Sequence, residues 1–254
     1  MSTVKTTVFD SHFHIIAPGY PIYPNQGFTP NSFTINDYLS SLKEFNLVGG
    51  AVVSGSFQKQ DQTYLKDALN ILGKGFVGVT QILSDSSDET ILALNNQGVR
   101  AVRFNLKRGG SEDITKIKSF AQRVYDLASW HVELYVDAAR LEPLMTTLVT
   151  LPRVSIDHLG LSSSGLKYLL SLAEKGVKVK ASGFGRVDFD PAVAINNLYQ
   201  ANPDCLMFGS DLPSTRAPRP FCNEDVTLIK DTLGEPGASK VLWKNAQALY
   251  LRRQ

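Results

Sequence analysis

The chain has 254 residues, 43% of them hydrophobic and 20% charged, and 26 basic against 24 acidic side chains leave a formal charge of +2. That length suits one large domain of repeated strand and helix units as well as two small ones, and so small a charge excludes a nucleic-acid or membrane-surface protein but not a small anionic ligand gripped by local arginines. No run approaches the roughly 18 apolar residues of a membrane span, MSTVKTTVFD has no signal-peptide pattern, and Cys205 and Cys222 lack zinc-type spacing, so a cytoplasmic protein with free thiols is expected.

In chain order, short β-branched runs recur, each followed by helical periodicity. The expected strands are TTVFD (6–10), GAVVSG (50–55), FVGVTQI (76–82), RAVRFN (100–105), VELYVD (132–137), RVSIDH (153–158), VKVKAS (177–182) and LMFGSD (206–211). Between them, Thr34 with Asp37 reads as a helix start and Gly98 as a stop. Ser111 before Glu112 and Asp113 reads as an N-cap opening a helix to about Trp130. Leu151-Pro152 and Asn202-Pro203 close two more helices, because proline disfavours helical geometry in the residue before it. After the eighth strand come a helix near 224–233 and a last one, ASKVLWKNAQALYL, expected across the barrel exterior. Eight strands alternating with helices, without a linker, predict an α/β fold: a single (β/α)8 TIM barrel over 1–254 with an extra C-terminal helix. The competing doubly wound sheet lacks its glycine-rich turn, since SHFHIIAPGYP follows the first strand.

In such barrels the reacting groups project from the carboxyl ends of the strands. His12 and His14 follow the first strand, Arg103 and Asn105 end the fourth, and Tyr135 and Asp137 end the fifth. His158 ends the sixth, Ser182 and Arg186 follow the seventh, and Asp211 ends the eighth. His131 begins the fifth strand at the opposite rim and is expected to be structural or solvated. Residues two apart on extended backbone point the same way, so His12 and His14 can converge on one ligand.

DSHFHI, VRAVRFNLKR, SIDHLG and FGSDLP, in that order, resemble the amidohydrolase superfamily, and within it the amidohydrolase-related group that includes 2-pyrone-4,6-dicarboxylate lactonase and sugar-lactone hydrolases. The two-metal members of that superfamily use a carboxylated lysine on the fourth strand and a histidine on the fifth, and this sequence offers neither, so a binuclear centre is not expected. The resemblance implies a hydrolase that opens a lactone of a small anionic substrate, such as a pyrone carboxylate or sugar-acid lactone. It implies no required metal, with His12, His14 and His158 as hydrogen-bond donors and Asp211 as base. Arginines in the site also raise the cost of a dication there. The same residues nonetheless form an N3O ligand set, His12, His14, His158 and Asp211, for one zinc or manganese ion as the alternative.

The resemblance also assigns Arg103, Arg108 and Arg186 as anion clamps and Tyr135 as a substrate contact. Arg216 and Arg219 follow Asp211 closely enough to reach the mouth, in a loop stiffened by Pro213, Pro218 and Pro220. The long first loop, IIAPGYPIYPNQGFTP, suggests a lid carrying Tyr20 or Tyr23. A zinc-dependent decarboxylase or hydratase and a non-catalytic ligand-binding barrel are the competing readings. The expected partner is a small anionic substrate, with a homodimer as the only assembly entertained and neither nucleic acid nor membrane.

Overall fold

The computed structural model describes residues 4–251. Its sheet has eight strands, hydrogen-bonded in the order β1 to β8 and parallel throughout. They are β1 (Thr7–Phe13), β2 (Asn46–Val53), β3 (Phe76–Thr80), β4 (Val99–Asn105), β5 (His131–Tyr135), β6 (Val154–Ile156), β7 (Lys178–Ala181) and β8 (Leu206–Phe208). All eight expected strands are present, and the fold is a single TIM barrel with an additional C-terminal helix.

The barrel closes beyond the end of β8 and not along it. The Asp211 N–H donates to the His12 carbonyl at 2.7 Å and the His14 N–H donates to the Leu212 carbonyl at 2.8 Å. Asp10 completes the seam: its carboxylate accepts from the Ser210 N–H at 2.8 Å and the Ser210 hydroxyl at 2.6 Å. The residues that close the barrel therefore include three of those expected to react, His12, His14 and Asp211.

Alternation along the strands sorts side chains into two populations. Val102, Phe104, Val132, Leu134, Val179 and Phe208 face the helices in the main core. Residues of the other parity face inward, and at the amino-terminal end Phe9, Ala51, Val77, Ala101 and Met207 form a second apolar cluster.

The helices α1 (Ile35–Ser41), α2 (Thr63–Leu72), α3 (Asp88–Asn96), α4 (Ile117–Ala128), α5 (Met145–Leu148), α6 (Leu166–Glu174) and α7 (Pro191–Ala201) separate the strands. Thr34 and Asp37 form the expected capping box on α1. Ser111 is not a cap, contrary to expectation. Its hydroxyl accepts the Asn105 N–H, and Asp113 caps a short 3-10 turn that leads into α4. A local pattern could not show that the Asn105 amide, at the end of its strand, needs an acceptor more than the helix does.

The chain then forms α8 (Glu224–Ser239), which breaks at Gly234 with φ +65°, and after a π-helical segment α9 (Asn245–Tyr250). The terminal helix does not lie across the barrel exterior as expected. Ala246, Leu249 and Tyr250 pack into the inward cluster and plug the amino-terminal end of the barrel. Tyr250 is 1% exposed, stacks on Phe9 with ring centroids 5.9 Å apart, and donates its hydroxyl proton to the Glu133 carboxylate. Cys205 and Cys222 are both free, and no helix among the described residues is long and apolar enough to cross a membrane.

Tyr250→Phe keeps the plug's apolar area but removes the donor to a buried carboxylate. It is expected to cost about 1.5–3 kcal/mol, read as a lower urea midpoint with an unchanged slope. An unaltered midpoint shows that the plug acts through packing alone.

Candidate active site

The site starts from Asp10, Ser11 and His12 at the carboxyl end of β1, all fully buried. Asp10 accepts the His12 N–H at 3.1 Å in addition to its bonds from Ser210, and Tyr38 donates to it at 3.3 Å. Burial, only partly offset by these donors, pushes its carboxyl up to about 6. Asp10 thus sets the backbone of both strand ends, and the sequence reading overlooked it although it lies two residues before His12.

His12, His14 and His158 form one cluster, with the His12 ring 4.6 Å from His158 and 5.1 Å from His14. Burial, reinforced by the neighbouring imidazole and arginines, lowers His14 and His158 well below the ordinary histidine range. Burial also lowers His12, against the pull of Asp157. His14 and His158, held well below the ordinary range, are neutral at pH 7.

Hydrogen bonding then determines what His14 can do. Its Nδ1 lies 2.7 Å from the Val53 carbonyl, and because a carbonyl has no proton to give, Nδ1 carries it. Nε2 of neutral His14 is therefore an acceptor, so the expected donation to a substrate oxygen does not fit this arrangement. His158 Nδ1 meets the Ser182 hydroxyl at 2.9 Å.

His158 and Asp211 both sit in left-handed backbone geometry, at φ +53° and +60°. Such strain is held only where the surroundings over-determine it. Gly183, at φ +60°, makes room for one of them: a Cβ there would lie 2.8 Å from His158 Nδ1.

Asp211 Oδ2 accepts from Arg186 Nε at 2.6 Å, whereas Oδ1 is buried without a partner, as is His12 Nε2. His158 Nε2 is 3.8 Å from that free oxygen. Ligand atoms of His12, His158 and Asp211 all lie within 4.8 Å of one another, and His14 is not one of this set. Two orphaned polar atoms this close call for a water molecule or a cation between them. Three residues of the expected four therefore fit a single divalent ion, and the same cradle fits a water molecule.

Beneath the cradle lies a charged cluster that the sequence reading missed. Asp157, fully buried, takes Arg103 Nε and Nη2 on Oδ2 at 3.1 and 2.8 Å. Its Oδ1 is 3.3 Å from His12 Nδ1 and 3.5 Å from Lys180 Nζ. Lys180, also fully buried, bonds Glu133 at 2.5 Å and reaches His12 Nδ1 at 3.3 Å. Burial alone would raise Asp157, but His12, Arg103 and Lys180 outweigh it and hold the carboxyl well below its usual range. His131, expected to be structural or solvated, is structural: it is 3% exposed and 3.0 Å from Glu133.

Above the cradle, Arg103, Arg108, Arg186 and Arg216 line one chamber with Tyr135, Asn105, Ser56 and Phe57. Arg103 lines its floor, where it donates to Asp157 and to the Ser54 carbonyl at 3.0 Å, so these bonds compete with the expected grip on an anion. Arg108 and Arg216 stand at the mouth, where the first loop holds them. Arg108 donates to Gln26 at 3.2 Å, and Arg216 donates to Asn25 and stacks over Phe28. The loop thus reaches the site through Asn25, Gln26 and Phe28. Tyr20 instead bonds Asp67, and Tyr23 pairs with Lys59. Arg219 turns away to Asp225. The chamber continues into a wider vestibule bounded by Lys107, Asp137, Ser162 and Asp188.

Comparison with known proteins places this geometry. The family described as amidohydrolase matches residues 9–252. A 2-pyrone-4,6-dicarboxylate hydrolase of Comamonas testosteroni is 28% identical over 156 residues, which are 59% of this chain and 51% of that protein, so the chain matches about half the length of that curated relative. The structure of a proposed 2-pyrone-4,6-dicarboxylic acid hydrolase from Pseudomonas putida has a TM-score of 0.77 at 26% identity, covering 97% of this chain and 98% of its own. That of a proposed hydrolase of the same kind from Acinetobacter baumannii reaches 0.82 at 23% identity, with 96% and 99% covered, and shares the fold. A family match across nearly the whole barrel, together with the His12, His14, His158 and Asp211 rim, shows that this chain belongs to the amidohydrolase family.

Proposed function

We propose that this barrel is a hydrolase that opens a lactone of a small carboxylated substrate, of the pyrone-carboxylate or sugar-acid kind. The observation that carries the reading is the pairing of an unpartnered buried Asp211 Oδ1 with a chamber lined by four arginines. The named activity of the Comamonas relative supports it.

Water placed among His12, His158 and Asp211 Oδ1 gives one proton to Asp211 as its oxygen attacks the carbonyl, and when the tetrahedral adduct collapses the ring C–O bond breaks and Asp211 returns that proton to the departing ring oxygen. Arg186 holds Asp211 through Oδ2, which keeps Oδ1 aimed at the water. Negative charge on the carbonyl oxygen develops among the guanidinium groups. The substrate carboxylate docks on Arg108 and Arg216, whose planar forks suit it. A divalent ion would be held by His12, His158 and Asp211 and would supply Lewis-acid polarisation there. A small anionic substrate is the partner this charge pattern favours.

Asp211→Asn removes the base but not the arginines. On a panel of carboxylated lactones kcat is expected to fall roughly 10²- to 10⁴-fold with KM little changed. Parallel assays with chelator and with added zinc or manganese separate the water-only and metal-assisted versions. If the wild type is inert on every lactone yet still binds an acid, the protein is a binding barrel.

Replacing Arg108 or Arg216 with Met is expected to raise KM roughly 10- to 100-fold for lactones bearing a carboxylate, leaving kcat nearly intact. Equal losses on uncharged lactones overturn the anion-clamp assignment.

The histidines also give the stability a pH dependence. His14 and His158 have folded values depressed below 6.5, so their contribution is fully present above pH 6.5 and is lost as the pH falls through the folded values. Asp10, raised to about 6, acts with the opposite sign: its contribution is full at low pH and is lost as the pH rises through that value. The urea midpoint of His158→Gln is therefore expected to drop less than that of the wild type between pH 7.5 and 5. An equal drop shows that His158 is not the titrating group.

A further inference from the structure

The first loop reaches the mouth of the chamber as a tight turn, Asn25-Gln26-Gly27-Phe28. Its ends exchange hydrogen bonds, the Asn25 N–H to the Phe28 carbonyl at 2.9 Å and the Phe28 N–H to the Asn25 carbonyl at 3.1 Å. Gln26 and Gly27 have φ of +51° and +74°, and positive φ at both central residues is what a type I′ turn requires. Pro24 and Pro30 stiffen the chain on either side, and the Tyr23 N–H fastens it to the Phe57 carbonyl at 2.8 Å. We propose that this turn is a neutral strap that determines specificity: through Asn25, Gln26 and Phe28 it holds Arg108 and Arg216 as an uncompensated pair of positive charges, set to receive a substrate carboxylate at one place. The proposal rests on the anion-binding part of the reading above and not on hydrolysis.

The strap grips each arginine more than once. Arg108 Nη1 donates to Gln26 Oε1 at 3.2 Å, while the Arg108 carbonyl accepts from Asn25 Nδ2 at 3.2 Å and Gln26 Nε2 at 3.4 Å. Arg216 Nη2 donates to the Asn25 carbonyl at 2.9 Å and to Asn25 Oδ1 at 3.0 Å, and its guanidinium lies 4.5 Å from the centre of the Phe28 ring. Each guanidinium gives the turn a single terminal nitrogen, so the rest of each planar fork remains for a ligand.

Every one of these partners is neutral. Arg103, Arg186 and Arg219 are paired with Asp157, Asp211 and Asp225, whereas among the described residues neither Arg108 nor Arg216 has a carboxylate within ion-pair distance. Burial and then the like charges of Arg108 and Arg186 lower Arg216 from the ordinary arginine value, so an arriving carboxylate relieves a repulsion that the strap maintains. Long side chains on loops lose rotamer freedom when a ligand orders them. The strap removes that freedom beforehand, which is preorganisation. Arg108 and Arg216 also line both the chamber and the vestibule. Fixing them at that neck fixes how far from Asp211 a carboxylate is held.

Titration calorimetry of the full chain with isophthalate and terephthalate tests this, because these planar diacids are not hydrolysed and differ only in where one carboxylate sits. The wild type is expected to prefer one isomer. Gln26→Ala is expected to weaken binding of that isomer roughly 2- to 10-fold, the effect of freeing one long side chain, and Asn25→Ala with Gln26→Ala to bring the ratio between the isomers toward one. Gln26→Glu keeps the acceptor but gives Arg108 a carboxylate of its own, so it is expected to weaken both isomers alike, by up to about 5-fold, with the ratio kept. Wild-type affinity and ratio in Gln26→Ala and in the double variant overturn the strap and leave the anion-binding reading standing, and so does a wild type that binds both isomers equally. A wild type that binds neither diacid overturns the anion-binding reading, and the strap with it. Gln26 is exposed, so Gln26→Ala alone decides the matter if the double variant loses stability, which its urea midpoint reports.

Discussion

Asp157 is the point through which the separate strands of this barrel act on one another. Its carboxylate at the end of β6 binds Arg103 of β4 and lies beside His12 of β1 and Lys180 of β7. A carboxylate with no solvent access stays ionised only where positive charge and donors replace its lost hydration. Those partners are therefore constrained in position by Asp157, and the rim above inherits the constraint through His12. The cradle of His12, His158 and Asp211 rests on a charged floor, not an apolar one.

The seam between β1 and β8 transmits the same order sideways. Asp10 ties Ser210 and the His12 backbone together, while the Asp211 N–H donates to the His12 carbonyl and the His14 N–H to the Leu212 carbonyl across the gap. Because the residues that close the barrel also carry the groups proposed to react, closure aligns them. The left-handed backbone at His158 and Asp211 is affordable in that frame, where neighbours on both sides fix it. At the opposite end the Tyr250 plug reaches the same floor through Glu133, so both ends of the barrel meet in one buried ionic cluster.

Much of this was legible in the sequence. The eight strands follow from β-branched runs, and the site histidines and Asp211 follow from their place at strand ends. Arg108 and Arg216 were legible as clamp candidates because they stand in loops at the reactive rim. For Arg103 a sequence shows an arginine at a strand end but not the Asp157 that binds it. Asp157 itself stood in view within SIDHLG, adjacent to His158. Glu133 and Lys180 carried a usable signal, being charged residues of inward parity in HVELY and KVKA. Tyr20, Tyr23 and Arg219 were misplaced because loop length and composition say nothing of the direction in which a side chain turns.

By itself, the sequence determined the architecture and the rim: periodicity sets strand and helix, and a parallel barrel sends every strand's carboxyl end to one side. Only the tertiary structure decided the protonation and pairing of the groups there. Whether an imidazole donates or accepts depends on the atom facing its other nitrogen, and whether an arginine is free depends on a carboxylate two strands away in the barrel. For His14 that atom is the Val53 carbonyl, 39 residues along the chain. For Arg103 the carboxylate is that of Asp157, 54 residues along. Contacts at such separations exist only once the barrel has closed.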